Sequence, residues 1–307
     1  WRALIGDIVD CCVNVANIVA VVINSSSPEG NVPDDKNSPA ETTTIENKVK
    51  LMPEYLVVCC WRSAKETSLL LGQITSHIPI SGCYDDDDVN GSDDDATSIL
   101  TLKTLNRISD FLRDQLLLSR HRGAFELAYS AFVQLASTLW TNRIASLKSR
   151  PQIWVDQLID RIKVHDPNDE LCSTRRSAGL PYYFQAIVVT EPAVNNSKCF
   201  NFLMNNLMSI ALRPIVKEET QHVCIFCVHS RNILRALIRD STLTDRIQPF
   251  ISDGIKSAIL GYNSEYWQIR NSSTLLFSAI VRKIFGVKNS ALSVHVSSSS
   301  SSPRCLG

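Results

Sequence analysis

Trp61-Arg-Ser-Ala-Lys-Glu-Thr-Ser-Leu-Leu-Leu-Gly-Gln-Ile74 and Trp267-Gln-Ile-Arg-Asn-Ser-Ser-Thr-Leu-Leu-Phe-Ser-Ala-Ile280 align without a gap. They share the tryptophan, a Leu-Leu pair and the closing isoleucine, with Thr and Ser matched twice between. Phe184-Gln-Ala-Ile-Val188 echoes Phe277-Ser-Ala-Ile-Val281 in the same way. What repeats is mainly the apolar positions, while charged and polar positions drift. Stacked helix pairs give this pattern, because each unit buries one face on its neighbours and leaves the other in water.

The same helical period runs outward from these segments. Leu4, Ile5, Ile8, Val9, Cys12, Val15, Val19 and Val22 fall at i, i+3 and i+4 spacing, which places apolar side chains on one helical face. Further helices are expected at Tyr55–Ile78, Ile99–Arg120, Gly123–Leu147, Gln152–Lys163, Pro181–Val189, Asn201–Ala211, Gln221–Arg239, Arg246–Leu260 and Ser264–Phe285. Strand-type alternation is nearly absent. The expected fold is all-α, an armadillo/HEAT-like α-solenoid fragment spanning residues 1–288. Two polar stretches interrupt it. Residues 24–50 are rich in Pro, Thr and Ser, and residues 80–98 hold seven Asp; both are expected to be disordered loops. Residues 289–307, with six consecutive Ser, are expected to be a disordered tail. A first residue of Trp1 and not Met points to a fragment of a longer chain.

Composition narrows the classes. The chain has 307 residues, 44% of them hydrophobic, enough for a sizeable core. Eleven glycines are too few for a collagen and argue against a glycine-rich barrel or a phosphate-loop enzyme. The 31 basic and 31 acidic residues balance, but the two polar stretches hold twelve of the acids and three of the bases. The remainder therefore carries a basic excess of about nine, compatible with an anionic partner. The ten cysteines include the adjacent pairs Cys11-Cys12 and Cys59-Cys60 inside apolar stretches, where free Cys packs as a small hydrophobe. A reducing, cytoplasmic setting is expected. The longest apolar run, Ile8 to Ile23, is 16 residues and carries Asp10, Asn14 and Asn17, so no membrane span is expected.

Five groups of residues have chemistry to weigh. In His222-Val-Cys224-Ile-Phe-Cys227-Val-His229 the residue types suit zinc, but four ligands on one straight helix cannot surround an ion, so a buried helix is expected and no metal. Arg231, Arg235 and Arg239 recur at four-residue spacing along one face. They suit phosphate contacts, or ion pairs with Asp240, Asp245 or a neighbouring repeat. Arg175-Arg176-Ser177-Ala178-Gly179-Leu180-Pro181 sets two Arg just before a helix start. Arg opposes the macrodipole there, so a phosphate or partner contact is one reading and a buried bridge to a carboxylate is the other. Ser177 is placed to cap that helix, with Gly179 and Pro181 shaping the turn. Arg120-His121-Arg122-Gly123 forms a basic turn, a solvated loop or a further phosphate contact through Arg120 and Arg122. Asp156 and Asp160, four apart, read as a solvated face. Nucleotide-binding glycine loops and a nucleophile elbow are not found. The residues alone favour a non-catalytic helical scaffold with no cofactor of its own.

The stretches Val58-Cys-Cys-Trp-Arg-Ser-Ala-Lys-Glu66, Ser119-Arg-His-Arg-Gly-Ala-Phe-Glu-Leu-Ala-Tyr129, Arg175-Arg-Ser-Ala-Gly-Leu-Pro181 and Trp267-Gln-Ile-Arg-Asn-Ser-Ser-Thr-Leu-Leu-Phe277 resemble the thyroid adenoma-associated protein family, in the same order. Ser25-Ser-Ser-Pro-Glu-Gly30 and Asn232-Ile-Leu-Arg-Ala-Leu237 fit it too, and the resemblance covers about Trp1 to Lys288. It implies an armadillo/HEAT-like solenoid that is a non-catalytic partner of a tRNA ribose 2′-O-methyltransferase acting at anticodon-loop position 32. The partners implied are that methyltransferase, which would bring S-adenosylmethionine, and tRNA, with no DNA. It also implies that Arg175–Pro181 is the functional element. A general protein-interaction scaffold without RNA binding is the alternative.

Overall fold

The computed structural model describes residues 1–25, 53–81, 99–164, 171, 177–213 and 223–286. The loops expected at 24–50 and 80–98 lie almost wholly outside the described residues, as do the tail at 289–307, Arg175, Arg176 and His222. Twelve α-helices occur among the described residues: α1 (Arg2–Ile23), α2 (Pro53–His77), α3 (Leu102–Leu118), α4 (Arg122–Trp140), α5 (Ala145–Lys148), α6 (Arg150–Val164), α7 (Leu180–Val189), α8 (Lys198–Leu212), α9 (Val223–Arg239), α10 (Thr244–Ile247), α11 (Ile251–Tyr262) and α12 (Trp267–Phe285). The only extended pairing among them is an isolated bridge between Ile80 and Leu100.

The helices stack in two rows. α1, α3, α6, α8 and α11 form the first row; α2, α4, α7, α9 and α12 form the second. Each first-row helix packs on the second-row helix that follows it, and each second-row helix packs on the next in its row. This is the all-α, solenoid-like arrangement that the periodicity predicts. The echoing segments all fall in the second row, on α2, α7 and α12, but the exposed Leu70 stands against the buried Leu276, so the alignment marks the row and not matching buried positions.

One continuous core runs through the stack. It includes Leu105, Leu112 and Leu116 of α3, Phe132 and Leu135 of α4, Tyr183 and Phe184 of α7, Phe200 and Leu203 of α8, and Ile233 and Leu237 of α9, all buried. Gly72 lets α2 approach α4 closely, since a methyl group there would lie 2.8 Å from the Cα of Ala131. Polar contacts fix the register within the second row and between the rows. Trp140 donates its indole N–H to the Ile187 carbonyl at 3.0 Å, and Arg113 donates to the Tyr183 hydroxyl at 3.1 Å.

Two of the departures from the expected boundaries have a clear local reason. The helix expected over Gly123–Leu147 ends at Trp140. There Asn142 accepts the Ile144 N–H at 2.9 Å, a side-chain bond that replaces the helical one. The helix expected from Arg246 is preceded by the short α10 and a 3₁₀ turn at Gln248–Phe250. Pro249 lacks an N–H and fits only the opening turn of a helix. The bound placed on α1 from sequence is also exceeded. The helix starts at Arg2, and its length and composition meet those of a membrane span. In the structure Ile5, Val9, Cys12, Ala16, Val19 and Ile23 turn one face inward, and Asp10 pairs with Arg107 of α3.

Buried charge appears at two points. Glu191 accepts the N–H groups of Cys199 at 2.8 Å and Phe200 at 3.2 Å, at the N-terminus of α8. A carboxylate is favourable there because those N–H groups have no helical partner. Arg246 pairs with the same carboxylate, donates to the Val188 carbonyl at 2.9 Å and lies 4.4 Å over the Phe200 ring. Arg231 is the second point, described with the site below.

Candidate functional site

The turn before α7 is built under strain. Ser177 and Ala178 take left-handed backbone angles, with φ of 60° and 41°. Such angles cost a non-glycine residue about 1–3 kcal/mol each unless the surroundings hold them. Ser177 is fully buried, and its hydroxyl shares a 2.7 Å hydrogen bond with His229 Nδ1 and accepts one from Asn232 Nδ2 at 3.0 Å. Two residues of α9 therefore hold the turn from which α7 departs. The expected cap is corrected: Ser177 spends its side chain on α9, and the N-cap of α7 is Gly179, with no side-chain cap bond. Gly179 has ordinary helical angles. Its role is close approach, since a Cβ there would lie 2.2 Å from the Leu116 carbonyl oxygen. Leu180 and Pro181 are buried in the first turn of α7.

Beyond this turn three consecutive second-row helices border a cleft of about 310 Å³. The lining includes Arg122 and Glu126 of α4, Tyr182 and Gln185 of α7, and Arg235 and Arg239 of α9. Ala178, Pro181 and Asn232 close it on the side of the strained turn, and Phe125 and Asp240 also reach it. Arg122 and Glu126 are paired at 2.7 Å. The Tyr182 hydroxyl donates to the same carboxylate at 3.3 Å, while its ring packs 5.7 Å from Phe125 and 5.4 Å from Tyr129. Gln185 donates to Asp240 at 2.6 Å.

The electrostatics are mixed. Burial raises the Tyr182 phenol pKa, and Glu126 adds to this, against the charges of Arg122 and Arg239. Burial also pulls Asp240 upward, but bonds from Thr242 and Gln185 and the Lys283 charge outweigh it and hold the carboxyl below its usual range. Three arginines thus share the cleft with two carboxylates, one of them held firmly ionised. Elsewhere, burial pushes the Cys199 thiol up, with Glu191 and Asp156 adding to the shift, so it is a packed side chain and not a thiolate nucleophile.

Five of the twelve residues singled out from sequence as contacts come together at one place. Arg122, Ala178, Pro181, Arg235 and Arg239 meet at one cleft, although they come from three separate motifs. Arg120 does not line it. The Arg120 and His121 N–H groups donate to the Ile23 carbonyl at 3.0 and 3.1 Å, and His121 stacks on Trp61 at 5.5 Å. That turn is tied to the end of α1.

Arg231 is corrected outright. It is 1% exposed, and its guanidinium donates to the carbonyls of Ala211 at 2.8 Å, Cys227 at 3.2 Å and Ser257 at 3.3 Å. It joins the last turn of α8 to α9 and α11, where a cation complements the helix C-terminus. Four-residue spacing drifts about 40° per step around a helix, so the first Arg of the stripe turns inward while the last stays exposed. In the segment with zinc-type residues, Cys227 lies 3.7 Å from the Ile210 carbonyl and His229 is bound to Ser177, while His222 and the Cys224 side chain lie outside the described residues.

Tyr182 and Gln185 escaped the sequence reading, while Phe125, Glu126 and Asn232 entered it only within the resembling stretches and Asp240 only as an ion-pair partner. Each lies on the same helical face as, or next to, a residue that was singled out. Only the knowledge that α4, α7 and α9 are neighbours would have joined them.

Stacked helix pairs with a cleft across three of them define the chain as an α-helical scaffold. It belongs to the THADA/TRM732, DUF2428 family, whose sequence model matches residues 3–268. It is similar to the human tRNA (32-2'-O)-methyltransferase regulator THADA, with 35% identity over 337 residues, covering 94% of this chain and 17% of the relative. The Drosophila melanogaster protein of the same name is 30% identical, covering 95% of this chain and 17% of its own length. The Schizosaccharomyces pombe regulator trm732 is 26% identical, covering 94% and 18%. The chain therefore spans about a sixth of the length of the curated relatives it matches. No solved structure matches it.

Proposed function

We propose that this chain is part of a non-catalytic regulator that supports 2′-O-ribose methylation at anticodon-loop position 32 of tRNA by a partner methyltransferase. The observation that carries the reading is the cleft, where Arg122, Arg235 and Arg239 meet the Ala178–Pro181 turn. The relatives' shared name supports the reaction assigned. Armadillo/HEAT-like repeats and a cytoplasmic location belong to the same proposal. On this reading the cleft meets tRNA or the enzyme, Arg175 and Arg176 belong to the same functional element, and the methyltransferase supplies S-adenosylmethionine and the reacting groups.

The test is ribose methylation at position 32, measured by mass spectrometry of tRNA fragments from cells in which the gene encoding this chain is disrupted. Loss of the methyl group there, restored by the parent gene and not by Arg122→Ala/Arg239→Ala, is the expected result. Unchanged methylation overturns the proposal. In vitro, the purified chain with tRNA and S-adenosylmethionine should transfer nothing until the methyltransferase is added.

A further inference from the structure

We propose that the cleft between α4, α7 and α9 seats one unstacked nucleotide of single-stranded RNA, with its phosphate on Arg239, its base on Tyr182 and the base's amino group toward Asp240. This rests on the RNA-directed reading above and deepens it.

The first ground is size. At about 310 Å³ the cleft stands at the lower limit of the roughly 300–1,000 Å³ in which proteins hold small ligands. One nucleotide is the unit of RNA on that scale. A duplex offers no single base to such a recess, because its bases are stacked and paired.

The second ground is charge. A groove that tracks a nucleic-acid backbone is uniformly positive. Here Glu126 and Asp240 lie among the arginines, so a run of phosphates would meet repulsion along with attraction. Arg122 is tied to Glu126. Arg239 is exposed, on the last turn of α9, and has no ion-pair partner among the described residues. The Arg239 guanidinium suits a phosphate, and Arg235 lies on the same lining. The carboxylate of Asp240 only accepts hydrogen bonds; its Oδ1 takes two from Thr242 and its Oδ2 one from Gln185, which leaves Oδ2 a lone pair for a ligand that brings a donor. A base with an exocyclic amine does so, and a carboxylate accepting from the amine of cytosine is a known mode of recognition.

The third ground is the ring. Tyr182 is half-buried at the cleft, backed by Phe125 and Tyr129 and fixed through its hydroxyl to Glu126. A ring held in place on one side is a platform on which an unstacked base can rest. Arg122 and Arg239 line the same cleft as this ring, which places the charge and the ring within reach of one ligand.

Fluorescence anisotropy of the full chain with labelled RNA hexamers tests this. An oligo(C) hexamer should bind several-fold tighter than oligo(U), and a mixed-sequence hexamer tighter than its own duplex. Arg239→Ala should weaken binding and flatten the dependence of log affinity on log salt by about 0.7, the loss of one single-strand phosphate contact. Tyr182→Leu should weaken binding about tenfold, while Tyr182→Phe, which keeps the ring, should stay close to the parent. Circular dichroism establishes that each variant is folded; Tyr182→Phe and the exposed Arg239→Ala keep the test decisive if Tyr182→Leu is not. Equal binding of oligo(C) and oligo(U), a duplex bound as tightly as the single strand, or affinity indifferent to Arg239 overturns the seat. Displacement of RNA by an acidic phosphopeptide with no dependence on Tyr182 makes the cleft a protein site and overturns it too. If methylation is lost in disrupted cells while hexamer binding ignores both residues, the regulatory reading stands and the seat falls. The reverse pattern keeps the seat and removes the regulatory reading.

Discussion

Replacing Gly179 by Ala tests how tightly the turn before α7 is pressed against α3. The added methyl group would lie 2.2 Å from the Leu116 carbonyl oxygen, 3.0 Å from its carbonyl carbon and 3.1 Å from its Cα. Ordinary contact begins near 3.5 Å, so α7 or the end of α3 must move by about 1 Å. Neither can yield cheaply. Leu116 is fully buried, and the obstacle is backbone and not the end of a flexible side chain. Overpacking of this kind costs about 1–3 kcal/mol. Ala is also poorer than Gly as an N-cap, which adds up to about 1 kcal/mol. A loss of about 1–4 kcal/mol should lower the melting temperature by roughly 2–10 °C. The control is Gly6→Ala in α1, where nothing lies within 4 Å of the added group. There the helix gains about 0.5–1 kcal/mol. Thermal melts followed by circular dichroism at 222 nm should thus move in opposite directions. A Gly179→Ala variant that melts with the parent, or shifts as Gly6→Ala does, refutes the close-approach argument.

Glu191→Ala should cost about 3–5 kcal/mol in a urea titration, because it strands Arg246 and leaves two α8 N–H groups without an acceptor; a loss below 1 kcal/mol would refute the buried-pair account. Arg231→Met should lose about 1.5–3 kcal/mol with its charged hydrogen bonds yet bind RNA as the parent does; lost binding at unchanged stability would return Arg231 to the site. Burial pushes the Tyr183 phenol up to about 12 from an ordinary 10, so the protonated form is favoured by the fold. That contribution, on the order of 2–3 kcal/mol, is intact below pH 10 and is lost as pH rises from about 10 to 12. Absorbance at 295 nm should show its ionisation coinciding with unfolding and not preceding it.

The helical period carried the fold in plain sight, because each stacked helix buries one face, as Leu105, Ile108, Leu112 and Leu116 do on α3; the gapless match of Leu70 to Leu276 did not, since Leu70 is exposed and Leu276 buried. The site was legible only in pieces. Arg235 and Arg239 were visible as a stripe and Arg122 as a basic turn, but their meeting depends on which helices are neighbours, and that is a property of the stack. The fate of Arg231 shows the limit most clearly. Its spacing from Arg235 equals that of Arg235 from Arg239, yet burial separates it from them. Ser177 teaches the converse. A serine ahead of a helix reads as a cap, but left-handed angles turned its hydroxyl toward His229 and Asn232, more than fifty residues away in the chain. Local propensity had no means of anticipating that bond.

The cleft has walls on α4, α7 and α9, which belong to three successive helix pairs. Its width is therefore not set within any one pair but by the small rotation from each pair to the next, the quantity that gives a solenoid its curvature. Bending the stack toward the cleft would bring Arg122 and Arg239 together, and bending it away would draw them apart. The recess is in this sense a gauge of the superhelix around it. A protein that docks elsewhere on the stack and alters its pitch would reach the cleft without touching it, and a ligand that fills the cleft would stiffen the curvature of all three pairs.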